Sequence, residues 1–280
     1  METIANSGYF KTFDGVGLFE RRWESDGEAK AHLALLHGYG EHCGRYEHVA
    51  RPMNAAGITV HTYDQRGFGR SPGRRAYIRD YKDLLRDLDA FLAHIKPRIG
   101  DKPLFMMGHS MGGQLLVLYY VTRRPAVRGL VCSSAFLQFA GDVPKLLVAL
   151  SGVVGAVLPW LPVGGVNTEA LSRDPAVVQA ADADPLSYHG RVRARTGAQL
   201  KFAIDRIAAD MHTVDAPLYI LHGTDDKLVP VAGSRLLHER AESADKTLRI
   251  YEGGYHELWN DLCKEDAIGG IVSWITARLP

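Results

Sequence analysis

Leu104-Phe105-Met106-Met107-Gly108-His109-Ser110-Met111-Gly112-Gly113 is the stretch on which the fold turns. Leu104 to Met107 is a short apolar run of the kind buried in a parallel sheet, and Gly113 to Arg123 carries a helical pattern. Between them Gly108 to Gly112 matches G-x-S-x-G. Strand, sharp turn and helix thus follow in the order a nucleophile elbow requires. Glycines two before and two after the serine let backbones approach closely. A helix N-terminus directly behind the serine favours developing negative charge.

With 29 glycines in 280 residues the motif alone is weak, and a second copy occurs at Gly69-Arg70-Ser71-Pro72-Gly73. Pro72 has no N–H to offer an oxyanion, and no apolar strand abuts that copy. Ser110 is therefore the nucleophile candidate and Ser71 is rejected.

Outward from the elbow, further strand-like runs recur at Leu33 to Leu36, Ile58 to Tyr63, Gly129 to Ser133, Leu218 to His222 and Leu248 to Tyr251. Helical patterns fall at Arg45 to Ala56, Tyr81 to Ile95, Gly113 to Arg123, Val231 to Arg240 and Cys263 to Arg278. Tyr9 to Thr12 and Val16 to Arg22 flank Asp14-Gly15, a hairpin signal. The alternation predicts an α/β protein with a mainly parallel sheet. It lapses over residues 135–214, read as an insertion between a first core segment, 1–134, and a second, 215–280.

A serine nucleophile needs a base and a carboxylate that orients it, in the chain order serine, acid, histidine. Asp225 and Asp226 follow the Leu218 to His222 strand, and spacing does not separate them. His256 lies in the Gly-rich loop Glu252-Gly253-Gly254-Tyr255-His256 after the last strand. For an oxyanion hole, Met111 supplies the N–H after the serine. The loop His37-Gly38-Tyr39-Gly40 supplies Tyr39 as the second donor.

Composition narrows the rest. The 33 basic and 32 acidic residues nearly cancel, which argues against nucleic acid as a partner. An apolar content of 46% excludes disorder. Three scattered cysteines suit neither a disulfide framework nor a zinc ribbon. No positive and apolar leader is visible at the start, so cytoplasmic residence is expected. His37, Glu41, His42 and His48 lie close together but match no metal-site spacing, and no phosphate loop or G-x-G-x-x-G occurs. Neither metal nor cofactor is expected.

Together, His37-Gly38-Tyr39-Gly40-Glu41-His42, Tyr63-Asp64-Gln65-Arg66-Gly67-Phe68-Gly69-Arg70-Ser71, Gly108-His109-Ser110-Met111-Gly112-Gly113 and His222-Gly223-Thr224-Asp225-Asp226 resemble the monoacylglycerol lipase and lysophospholipase branch of the α/β-hydrolases. The likeness extends to Ser172-Arg173-Asp174-Pro175 and Asp184-Pro185-Leu186. It implies an eight-stranded, mainly parallel sheet flanked by helices, with an inserted, mainly helical cap. By the same likeness Ser110 is the nucleophile, Asp226 the acid and His256 the base. Tyr39 and Met111 form the oxyanion hole, and Glu41 and Arg45 stand near the polar end where the family holds glycerol. Two positions depart from it. A cap tyrosine of the mammalian members is Ala181 here, and Cys43 replaces a common serine. Cys43 either sensitises the enzyme to thiol reagents or is an inert buried thiol.

Leu146 to Val166 holds no charge among 21 residues, 14 of them apolar. Its length would suffice for a bilayer, but its glycines and prolines rule out one clean helix. Within the insertion it is expected to line an acyl tunnel, with Leu146, Leu147 and Leu150 among the lining residues, and to touch a membrane or micelle. The expected partner is a monoacylglycerol or similar single-chain lipid ester. Rival readings are a lysophospholipase or broad carboxylesterase, an aminopeptidase of this fold, and a non-catalytic ligand-binding homologue.

Overall fold

The computed structural model describes residues 5–141 and 144–280. Its elements run β1 (Ala5–Lys11), β2 (Gly17–Trp23), β3 (Ala31–Leu36), α1 (Glu47–Ala55), β4 (Ile58–Tyr63), α2 (Tyr81–Ile99), β5 (Leu104–His109), α3 (Met111–Arg123) and β6 (Gly129–Ser133). Then follow α4 (Lys145–Val157), β7 (Pro162–Gly164), α5 (Pro175–Ala183), β8 (Val192–Arg193), α6 (Ala194–Asp210), β9 (Leu218–Gly223), α7 (Val231–Arg240), β10 (Lys246–Tyr251) and α8 (Lys264–Thr276).

Among the described residues, eight strands form one sheet in the order β1-β2-β4-β3-β5-β6-β9-β10. The β1–β2 hairpin turns at Asp14-Gly15, where Gly15 takes φ +81°. β2 meets β4 antiparallel, and every pair beyond is parallel. Parallel strands need crossovers, and these carry the helices to both faces. On β3 the side chains alternate: Ala34 and Leu36 join α2, α3, α6 and α7 on one face, while Leu33 and Leu35 join α1 and α8 on the other. The strand is buried on both sides, which is why it reads as a continuous apolar run rather than an alternating one.

The end of α2 lies beyond the sequence reading. α2 passes Pro97 and stops at Gly100, φ +56°, because a proline in the final turn forfeits only one backbone bond. In the uncharged stretch, Gly152 and Gly155 do not break α4, which ends before Pro159. A Cβ on Gly155 would lie 2.7 Å from Ala198 Cβ and 3.0 Å from Ala194 O, so this glycine is what lets α4 lie closely on α6. Among the described residues no helix is long and apolar enough to cross a membrane.

Between β6 and β9 the chain leaves the sheet to form α4 to α6 and the small β7–β8 pair. The latter half of α6 returns to the core, where Leu200, Ala203 and Ile207 join the cluster around α3. Ser71, in the rejected copy of the motif, is a structural hydroxyl. It accepts from Phe19 N–H at 2.9 Å and donates to Asp64 O at 2.5 Å.

Candidate active site

The C-terminal ends of β3, β5, β9 and β10 carry the four predicted site segments, so the parallel sheet gathers residues far apart in sequence at one edge. Ser110 sits between β5 and α3 at φ 51°, ψ −117°, a conformation that L residues adopt only at a cost of about 1–3 kcal/mol. The surroundings hold it there. Ser110 N donates to Ser133 O at 3.0 Å, and Ser110 O accepts from Gln114 N and Phe136 N, both at 2.9 Å. A Cβ on Gly108 would collide with Gly112 O, and one on Gly112 with Leu36 O and His37 O. The turn admits nothing larger at either position.

Asp226, not Asp225, meets the histidine. His256 Nδ1 donates to Asp226 Oδ2 at 2.7 Å, both side chains being almost fully buried, whereas Asp225 is exposed. Asp226 Oδ1 accepts from Leu228 N and Val229 N, each at 2.9 Å. Burial alone would raise the Asp226 pKa, but the facing His256 and His222 outweigh it and hold the carboxyl far below the usual range. Burial likewise pushes His256 down, yet the Asp226 charge and hydrogen bond, helped by Glu257 and Glu41, leave it raised. A ring held this way keeps Nδ1 protonated and turns Nε2 toward the cavity as a proton acceptor. Ser110 and His256 line that cavity together. Ser110 Oγ makes no hydrogen bond to another described residue, and such contacts commonly tighten only when substrate arrives.

The His37 to Gly40 loop is set by neighbours that leave little freedom. His37 is fully buried, its Nε2 accepts from Gln65 N at 2.9 Å, and its Nδ1–H therefore donates to Gly38 O at 2.8 Å. In a trans peptide the next N–H points opposite to that carbonyl, so Tyr39 N–H faces away from His37. Gly38 N–H is taken by Glu41 Oε1 at 2.6 Å. Neither Tyr39 N–H nor Met111 N–H, at the head of α3, finds an acceptor among the described residues. Two free donors beside a strained serine are what a developing oxyanion needs.

Glu41 and Arg45 both line the cavity, but each is already engaged. Glu41 Oε1 also accepts from Tyr46 OH at 2.6 Å. Arg45 pairs bidentately with Glu257 at 2.6 and 2.8 Å and reaches Glu41 Oε2 at 3.3 Å. Sequence reasoning missed Glu257, whose only signal is that it directly follows His256. It also missed Ser134, at φ 42°, whose Oγ donates to His256 O at 2.9 Å and holds the His256 backbone.

The cavity holds about 630 Å³, with Phe136, Phe139, Val148, Val154, Leu171 and Leu200 among its walls. Here one expectation needs correction. Leu146 and Leu150 face outward, 70% and 46% exposed, and Val148, Ser151 and Val154 present α4 to the cavity instead. The Leu147 side chain lies outside the described residues. Both faces of α4 are apolar, so periodicity marks the faces without saying which looks inward. Ala181 is buried and lines the cavity. Cys43 is fully buried, and burial, then the Asp64 carboxylate, push its thiol pKa well up. Burial and a raised thiol pKa favour the inert thiol of the two alternatives. His42 Nε2 meets Asp184 Oδ2 at 2.7 Å and Tyr188 N donates to Gly40 O at 2.7 Å, tying the excursion to the His37 to His42 segment. Among the described residues no group of three or more His, Cys, Asp or Glu side chains is placed to hold a metal ion.

Residues 27–263 match the family described as serine aminopeptidase, S33. The chain is 35% identical over 270 residues to a monoacylglycerol lipase of Mycolicibacterium smegmatis, covering 96% of each. It is 34% identical over 268 residues to a monoglyceride lipase of Homo sapiens, covering 95% of this chain and 88% of the other. In three dimensions it is similar to the crystal structure of a Paleococcus ferrophilus monoacylglycerol lipase. That similarity has a TM-score of 0.85 at 30% identity and covers 93% of this chain and 99% of that one.

Proposed function

The chain belongs to the serine aminopeptidase S33 family of α/β-hydrolases, and from that premise we propose that it is a carboxylic ester hydrolase that cleaves monoacylglycerols to glycerol and a fatty acid. The carrying observation is one cavity of about 630 Å³ that joins Ser110 and His256 to the charged side chains of Glu41, Arg45 and Glu257 and to apolar walls. His256 Nε2 takes the Ser110 proton as Oγ attacks the ester carbonyl. The oxyanion is received by the Tyr39 and Met111 N–H groups, and His256 then gives the proton to the departing glycerol oxygen. Water, activated by the same ring, attacks the acyl-serine and releases the fatty acid. Asp226 stays ionised throughout and stabilises the imidazolium.

The floor favours a neutral head group. Arg45 is held bidentately by Glu257, so a lysophospholipid phosphate would have to compete with that pair. The carboxylates of Glu41 and Glu257 are in turn committed to Arg45, Tyr46, Gly38 and Asn260, which leaves a free substrate amine poorly served. Rates on monoolein, lysophosphatidylcholine, p-nitrophenyl butyrate and leucine p-nitroanilide test the reading. Monoolein should give the highest kcat/KM and the anilide essentially none. A preference for the lysolipid or the anilide would refute it.

In this reading residues 135–214 supply the cap, from α4 to the first half of α6, over a core of 1–134 and 215–280 that the latter half of α6 rejoins, and the free cysteines suit a reducing, cytoplasmic setting. The cap offers a lipid-facing surface: Leu146, Leu150, Val153 and Val157 share one face of α4 and are 70%, 46%, 65% and 71% exposed. A contiguous apolar face of this kind suits an interfacial helix. Val153→Ser with Val157→Ser should weaken partition onto phosphatidylcholine vesicles by roughly tenfold per residue while turnover of soluble p-nitrophenyl butyrate stays unchanged. Sedimentation with vesicles measures it, and undiminished binding would rule out this face.

A further inference from the structure

His222 lies near the end of β9 and is wholly buried. Its Nε2 sits 3.1 Å from Asp226 Oδ2, the same oxygen that His256 Nδ1 reaches at 2.7 Å. Nε2 also faces Val229 O at 3.0 Å, and Nδ1 lies 2.8 Å from Ser234 Oγ on α7. A carbonyl and an ionised carboxylate can only accept, so Nε2 carries the ring proton. Nδ1 then presents its lone pair and accepts a hydrogen bond from the Ser234 hydroxyl. Ser234, fully buried itself, thereby tethers the far side of a second imidazole beside the acid.

The consequence is a carboxylate flanked at both oxygens. Oδ1 holds two backbone N–H groups, and Oδ2 takes the His256 Nδ1–H and lies 3.1 Å from His222 Nε2, whose own hydrogen bond runs to Val229 O. Without His222 the Leu228 and Val229 amides would still anchor the loop through Oδ1. Oδ2, however, would keep a single partner and the carboxylate plane could tilt away from His256.

We propose that His222, held by Ser234, is a positioning residue that keeps Asp226 Oδ2 in line with His256 Nδ1 without touching substrate. The proposal rests on the reading of Asp226 as the acid. It departs from a plain packing role in what should replace His222. Glutamine can offer an N–H toward Asp226 and an oxygen toward Ser234, whereas leucine fills similar volume and offers neither.

The test compares kcat and KM on p-nitrophenyl butyrate for His222→Leu, His222→Gln, Ser234→Ala and Asp226→Asn, with thermal unfolding of each. His222→Leu should lower kcat by about 10–100-fold, as a small misalignment of a catalytic group does, with KM unchanged. His222→Gln should recover most of the lost kcat, and Ser234→Ala should fall between them. A folded His222→Leu with wild-type kcat, or a Gln variant as impaired as the Leu variant, overturns the proposal. If His222→Leu does not fold, Ser234→Ala decides: a lower kcat at constant KM supports the proposal and an unchanged kcat overturns it. Asp226→Asn separates the levels. Were it fully active, the acid assignment itself would fail; were it inactive beside a fully active His222→Leu, only the present proposal would.

Discussion

Ser110→Ala should abolish hydrolysis of monoolein, lowering kcat by about 10⁴–10⁶-fold and leaving only what binding and the oxyanion donors supply. The backbone should not notice the change. Ser110 Oγ bonds to no other described residue, while the strained turn is held by main-chain bonds to Ser133, Gln114 and Phe136 that alanine retains. Ser110→Gly should be equally inactive but behave differently in thermal unfolding. At φ 51°, ψ −117° glycine escapes a strain of about 1–3 kcal/mol, partly offset by the roughly 0.5–1 kcal/mol of extra freedom it brings to the unfolded chain. An inactive enzyme with a higher Tm is the expected signature of strain stored at the nucleophile. Activity of Ser110→Ala within tenfold of wild type would remove Ser110 from the mechanism. A Gly variant less stable than the Ala variant would remove the strain argument alone.

What the sequence made legible follows from which constraints are local. Two strands could be read because burial on both faces forces apolar runs, as in β3 and β6, and β4 because β-branched and aromatic residues fill it. The elbow was readable because Gly108 and Gly112 are required sterically within five residues of each other. Asp226 was separable from Asp225 only by resemblance, since both follow β9. It is the backbone N–H groups of Leu228 and Val229 that select the second carboxylate. Ser134 and Glu257 escaped notice for the same reason: each meets the site through a partner brought close by the sheet, and neither belongs to a short motif. His222 opens the His222 to Asp226 motif, but nothing in that motif says that its ring folds back to within 3.1 Å of the acid. The orientation of α4 was not legible either. Its register is fixed by Gly155 against Ala194 and Ala198, a contact between helices that apolar periodicity does not encode.

Asp226→Asn carries the second large effect, and its cause lies in the donors that surround the side chain. Leu228 N and Val229 N both point at Oδ1, so an asparagine must place its carbonyl oxygen there. Its NH₂ group then takes the position of Oδ2, facing His256 Nδ1 and His222 Nε2–H. His256 can meet that donor only by giving up the Nδ1 proton and carrying it on Nε2, the atom that must accept the proton of Ser110. The base is held in the wrong tautomer, for which a loss of about 10⁴ in kcat is the expected scale. The pH dependence should move as well. In the wild type kcat/KM should rise as His256 loses its proton, and Asp226, with Glu257 and Glu41, holds that pKa above the ordinary histidine value against the effect of burial. With the Asp226 charge removed, burial opposes the imidazolium with less to offset it. The acidic limb of kcat/KM should therefore shift to lower pH, while the plateau stays far below wild type. Stopped-assay rates from pH 5 to pH 9 would show both changes. A kcat within tenfold of wild type, or an acidic limb displaced upward, would mean that Asp226 neither orients nor charges the base.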